Sequence, residues 1–198
     1  MRKLHLALLP ALLLALALGL AACGGSGESD EDKITSTIEE SATSTDPAIC
    51  KETQTQAFME QTSGGSKGSA AVKECEEETK SGEGNPESVK VSKVEAENGK
   101  ATADVAFTGG TFDKQTVEVA LVEEDGDWKL NELTGFAKFD PSVFVGALVK
   151  QLEEEPEIEP QVSSCIAEGL EEAPAEELEA LVIENNTQPI VELAESCE

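Results

Sequence analysis

Asn98-Gly99-Lys100-Ala101-Thr102-Ala103-Asp104-Val105-Ala106-Phe107-Thr108 is the stretch that decides the fold. Asn-Gly is a strong two-residue hairpin signal, because both positions tolerate positive φ. After it, Ala101, Ala103, Val105 and Phe107 fall on one parity, and Thr102, Asp104 and Thr108 on the other. That alternation predicts a strand with one apolar and one wet face. Upstream, Ser88 to Glu97 is rich in valine. Val89 and Val91 lie on one parity, Val94 and Ala96 on the other, so a bulge or bend near Ser92 is needed to reconcile them. Downstream, Gly109-Gly110 interrupts the pattern and Val117, Val119 and Leu121 resume it. Asp125-Gly126 supplies a second tight turn, and Trp128 and Leu130 continue beyond it. The sum is a four-stranded antiparallel meander with one face to cover.

Helical segments precede it. Ser29-Asp30-Glu31 caps a first helix with Ile34 and Ile38 at i, i+4 spacing. Asp46-Pro47 starts a second, which is expected to carry Ile49, Cys50, Ala57 and Phe58 and to stop before Ser63-Gly64-Gly65. Ser69 caps a third through about Lys80, with Val72, Cys75 and Thr79 along one side. Gly64-Gly65-Ser66-Lys67-Gly68-Ser69 lacks phosphate-loop spacing and a preceding strand, so it reads as an interhelical turn. After the meander, Asp140-Pro141 begins a helix bearing Val143, Phe144, Ala147, Leu148 and Leu152. An acidic, proline-bearing linker follows. Short helical segments then run over 162–170, 174–184 and 189–196. The fold class is therefore α+β: N-terminal helices on a four-stranded antiparallel curved sheet, followed by a small helical C-terminal unit.

The chain has 198 residues, five cysteines, six Phe and one Trp. Cys50, Cys75, Cys165 and Cys197 allow two disulfides in three connectivities. The local pairing, Cys50–Cys75 and Cys165–Cys197, is the expectation, because each pair brackets one helical region. A structural metal site lacks both CxxC spacing and histidine support.

The first 22 residues combine Arg2 and Lys3, an apolar run to Leu20, and the small residues Ala21 and Ala22 before Cys23. This is the layout of a secretory signal, and an uncleaved membrane span is the competing reading. Leu20-Ala21-Ala22-Cys23 resembles the lipobox of bacterial lipoproteins. The resemblance implies cleavage before Cys23, diacylglycerol on its sulfur, and often a fatty acyl chain such as palmitate on the new amino terminus. Two or three chains suffice for stable anchoring at roughly 0.8 kcal/mol per buried CH₂. Gly24 to Asp32 then reads as a flexible tether. The expected organisation is signal peptide 1–22, tether 23–32, α+β domain 33–139, connecting helix 140–155 and acidic helical unit 156–198. The expected location is extracytoplasmic, held to the cell membrane by lipid.

Cleavage would discard the only Arg and the only His, and the chain has no Tyr. Taking Arg2 and Lys3 from the 14 basic residues leaves twelve lysines against 41 acids, a net charge of −29. Nucleic acid is excluded as a partner, since phosphate neutralisation needs clustered Lys and Arg. Weak, nonspecific divalent-cation association follows from charge alone.

Residues 31 to 134 resemble the NTF2-like, or cystatin-like, α+β fold. The resemblance is carried by Cys50 with Thr55-Gln56-Ala57-Phe58, the glycine turn and Ala71-Val72-Lys73-Glu74-Cys75. The Asn98-Gly99 hairpin and Asp125-Gly126-Asp127-Trp128-Lys129-Leu130 complete it. It implies isomerases, hydratases and epoxide hydrolases as well as noncatalytic binding domains, and fold does not choose among them. Residue types narrow the choice: without Tyr or His, oxyanion tyrosines, His-based dehydration and His-assisted nucleophiles are all missing. Asp104 is the remaining candidate general base, provided it enters the concave face; if Val105 and Phe107 face the core, Asp104 points to solvent. Phe107 and Trp128 are the ligand-pocket candidates. The reading is a noncatalytic module without cofactor, binding a small apolar ligand or an envelope protein. The alternatives are a carboxylate-dependent hydrolase or isomerase, and a structural or accessory envelope protein.

Overall fold

The structure is a computed structural model and describes residues 28–82, 84–154 and 158–197. The signal segment 1–22, Cys23, the tether up to residue 27 and the linker residues 155–157 lie outside the described residues.

The first helix, α1 (Asp30–Thr43), starts at a capping box: Ser29 Oγ accepts the Asp32 N–H, and the Asp32 side chain accepts the Ser29 N–H. Its Ile34 and Ile38 are buried, and three acids in its first turn suit the helix dipole. The helix expected from Asp46-Pro47 to Ser63 is two helices, α2 (Ile49–Thr53) and α3 (Gln56–Thr62). The break has a cause: Gln54 bridges Leu130 of the sheet, and the Thr55 N–H donates to the Leu130 carbonyl at 2.8 Å. Thr55 then caps α3 by accepting the Phe58 N–H. Helix α4 (Ser69–Ser81) follows the glycine turn; its cap is Gly68, with no side-chain bond, rather than Ser69.

The sheet comprises β1 (Ser88–Glu97), β2 (Lys100–Thr108), β3 (Thr116–Glu124) and β4 (Asp127–Lys138), antiparallel in the order β1-β2-β3-β4. Asn98-Gly99 and Asp125-Gly126 form the two tight turns with positive φ at each residue. Ala101 opposes Leu121, Ala103 opposes Val119 and Val105 opposes Val117, and all six are buried. The ladder between β1 and β2 shifts between Ser92 and Glu95, with Lys93 at φ 51°, so Val94 rejoins Val89 and Val91 against the core. Three further shifts between β3 and β4 bend the sheet. Trp128, Leu130 and Leu133 of β4 complete this face, and Ile34, Ile38 and Phe58 of the helices cover it. Burying each such side chain contributes about 1.5–3 kcal/mol.

The C-terminal part comprises α5 (Pro141–Glu154), α6 (Pro160–Glu172), α7 (Ala175–Ile183) and α8 (Gln188–Cys197). They share a second core of Phe144, Val145, Ile166, Leu170 and Leu178. Helix α5 is thus more than a connection, since it supplies two of those buried residues. Cys50–Cys75 joins α2 to α4, and Cys165–Cys197 joins α6 to α8.

Two devices dock this unit to the sheet. Phe107, Phe112, Phe136, Phe139 and Phe144 form a continuous aromatic row, with successive ring centroids 5.5, 6.4, 4.7 and 5.5 Å apart. Buried Gln115 accepts the Asp140 N–H at 2.7 Å and donates to the Asp140 carbonyl at 3.1 Å, fixing the entry to α5. Among the described residues no helix is long and apolar enough to cross a membrane.

Candidate functional site

The space between the helices and the sheet is filled by side chains, including Trp128 and the alternating residues of β2 and β3. The open volume lies elsewhere, in a cleft of about 730 Å³ where the sheet domain meets the C-terminal helices. Helix α4 supplies one wall. Residues at i, i+4 share a helix face, and here Glu74 and Glu78 stand beside Cys75 and Thr79. The Cys50–Cys75 disulfide fixes that wall against α2. Phe112, Leu133, Phe144 and Leu148 give apolar surface from the sheet and α5. The end of α7 and the start of α8 add Leu181, Val182 and Ile190.

The polar side chains of the cleft are mostly committed to its architecture. Gln61 bonds Leu133 and the Ile183 carbonyl, tying α3, β4 and α7 together. Gln151 donates to Thr111 Oγ1 at 2.9 Å, Asn85 to the Ser44 carbonyl and Asn185 to the Glu60 carbonyl. The two charged groups are not committed to an ion pair. The neighbouring acids Glu76 and Glu77 are paired with Lys51 and Lys73, but Glu74 and Glu78 have no lysine partner among the described residues. Partial burial of the Glu78 carboxyl holds its pKa above the ordinary value, and the charge on Glu74 adds to the rise. Glu78 is exposed as a residue, so the effect is local to the carboxyl and modest.

The ligand-pocket and general-base candidates of the sequence lie apart from this cleft, whereas Cys75 lines it. Trp128 is in the core, 4% exposed, and its indole N–H has no hydrogen-bond partner among the described residues. Phe107 is half-buried and packs on Phe112, which takes the lining position instead. Asp104 is on the face away from the helices, opposite Ser92 and Glu118. The bulge brings Lys93 Nζ to 2.7 Å from its carboxylate. That hydrogen bond, with the attraction of the two charges, holds the Lys93 ammonium pKa above its ordinary value. Asp104 does not line the cleft; although on the outer face of the sheet it is buried, 8% exposed, rather than open to solvent, because Lys93 lies over it in an ion pair. Cys23 lies outside the described residues.

Glu74 and Glu78 were not singled out in the sequence, although a signal exists. Lys73 stands four residues before Glu77 and pairs with it, whereas no lysine stands three or four residues from either Glu74 or Glu78 on the cleft side. A smaller groove of about 320 Å³ lies within the C-terminal unit, between α6, α7 and α8. Among the described residues no cluster of three or more His, Cys, Asp or Glu side chains could hold a metal ion. No protein-family model, curated protein or solved structure matches the chain.

Proposed function

We propose that the protein is a lipid-anchored extracytoplasmic module with an NTF2-like sheet domain, and that it holds a small ligand noncatalytically. The observation that carries this reading is the 730 Å³ cleft, which is of ligand size and combines apolar walls with a few polar groups. It lies between two cores that are themselves filled. The basic start, apolar run and Leu20-Ala21-Ala22-Cys23 support the lipid anchor.

Mass spectrometry of the protein purified from its own membrane fraction tests both halves. The expected result is an amino-terminal peptide beginning at Cys23 with diacylglycerol mass, and a small molecule retained in stoichiometric amount. Leu148→Trp, which places an indole in the cleft, should remove that molecule. An unprocessed amino terminus overturns the anchor. A native preparation with no small molecule, in which Leu148→Trp changes nothing, overturns the ligand reading.

An envelope protein as partner is the second reading. It is favoured by the composition of residues 156–198, which carry twelve acids and no basic residue. Such a surface would select a basic partner. A carboxylate-dependent hydrolase or isomerase is the remaining reading, and Glu74 and Glu78 are the carboxylates that line the cleft for it.

A further inference from the structure

The cleft between the sheet domain and the C-terminal helices is lined by charged side chains of one sign, Glu74 and Glu78. The side-chain amides of Asn85, Gln151 and Asn185 each donate to a protein oxygen. Gln61 spends both its oxygen and its nitrogen on backbone groups. Among the described residues no lysine lines the cleft, and the sequence after residue 22 contains no arginine or histidine to do so. The charge that faces the cavity is therefore of one sign, carried by Glu74 and Glu78.

The lack of partners is local. On the same helix, Glu76 and Glu77, which do not line the cleft, are both matched by lysines. The two acids that do line it are left as a like-charged pair at i, i+4, an arrangement that destabilises a helix by a few tenths of a kcal/mol. The same cavity is lined by the apolar side chains of Phe112, Phe144 and Leu148. An anionic ligand would meet two carboxylates and no counter-charge, and a neutral one would leave the pair unrelieved. From this juxtaposition we infer that the cleft takes an organic ammonium with an apolar body, its nitrogen between Glu74 and Glu78 and its apolar part against Phe112 and Leu148. The inference rests on the ligand-binding reading above and names the ligand's class.

Three probes of one shape separate the possibilities: 4-phenylbutylamine, 4-phenylbutanol and 4-phenylbutyrate. Their binding would be measured by calorimetry to the full chain in neutral-lipid nanodiscs, with empty nanodiscs as blank. The amine should bind at least tenfold more tightly than the alcohol, and the carboxylate should not bind. Glu74→Gln with Glu78→Gln should reduce amine binding about tenfold or more and leave the alcohol unchanged. Equal affinity for all three probes overturns the charge selectivity and leaves the ligand-binding reading standing. Amine binding unaffected by the double substitution places it on the general acidic surface or the smaller groove, and overturns the inference. No binding of any probe overturns the inference. The binding reading falls with it only if native mass spectrometry also finds no retained molecule.

Discussion

The side chain of Gln61 reproduces, for Leu133, the pairing that a neighbouring strand would give. Its oxygen accepts the Leu133 N–H at 2.8 Å and its nitrogen donates to the Leu133 carbonyl at 2.9 Å. The same nitrogen donates to the Ile183 carbonyl at 2.8 Å. One half-buried amide therefore satisfies three backbone groups on two elements 50 residues apart in sequence, β4 and α7. Gln61→Leu keeps the volume and strands those groups, at about 1–3 kcal/mol. Gln61→Glu should be worse, because a carboxylate can accept from Leu133 but faces two carbonyls. Chemical denaturation checks the order wild type, Leu, Glu. Hydrogen exchange should rise first in α7.

Gln115 performs the same office at the other junction. It is 1% exposed and holds both backbone groups of Asp140, immediately before α5. Asp140 in turn accepts from Ser142 and from the Val143 N–H, which holds its carboxyl below the ordinary range. Gln115→Leu should destabilise by about 1–3 kcal/mol through the unpaired Asp140 groups. The readout is faster exchange at Phe144 and Val145, ahead of the strands. Equal protection in α5 would show that the aromatic row alone holds the junction.

These two glutamines mark where sequence reading stops. The strands were legible because alternation of period two and the Asn98-Gly99 and Asp125-Gly126 turns are local signals. The bulge near Ser92 was legible because the parity of Val89 and Val91 conflicts with that of Val94. The split at Gln54-Thr55 was not, since a tertiary bond to Leu130 overrides helical continuity there. Neither was the cleft. Its walls come from six separate elements, and the composition of each alone shows only polar or apolar residues. Trp128 lies in the core, and the sequence alone does not separate that place from a pocket wall, because a large aromatic signals burial as readily as exposure to a ligand.

Glu78 gives the pH dependence a definite sign. Its folded pKa lies above the ordinary value of 4.5, so the folded protein binds more protons than the unfolded chain in the window between those two values. Stability contributed by this group is therefore greatest at low pH and falls as pH rises through the window. Lysines do not offset this, because none lines the cleft beside it, and the disulfide-bonded Cys75 does not titrate. Glu78→Gln should thus be more stable than wild type at pH 7, by less than about 1 kcal/mol after solvent screening. The difference should vanish below pH ~4, where both states of the wild-type carboxyl are protonated. Denaturation midpoints across pH 3–8 test it, and a variant less stable than wild type at pH 7 would contradict the stated environment.

Helices α6 and α8 are held at two successive turns, and the two holds are distinct. Cys165 is bonded to Cys197, and one turn along, a Cβ on Gly169 would lie 2.4 Å from Leu193 Cδ2. A glycine inside a helix costs about 1 kcal/mol relative to alanine, so its place here is explained by the space Leu193 occupies. Gly169→Ala lets the flexible end of Leu193 turn aside while gaining helix propensity, and should be near neutral. Gly169→Leu has no such escape and should cost about 1–3 kcal/mol by overpacking. With Cys165→Ser and Cys197→Ser the loop constraint of about 3–4 kcal/mol is removed. Helices α6 to α8 should then open locally while the sheet stays protected, because Ala103, Val105 and Val119 belong to the other core. Combining Gly169→Leu with the serine pair decides whether the holds are coupled. If the disulfide forces the helices together, the leucine should cost less without it, and the double-mutant cycle reads that difference directly.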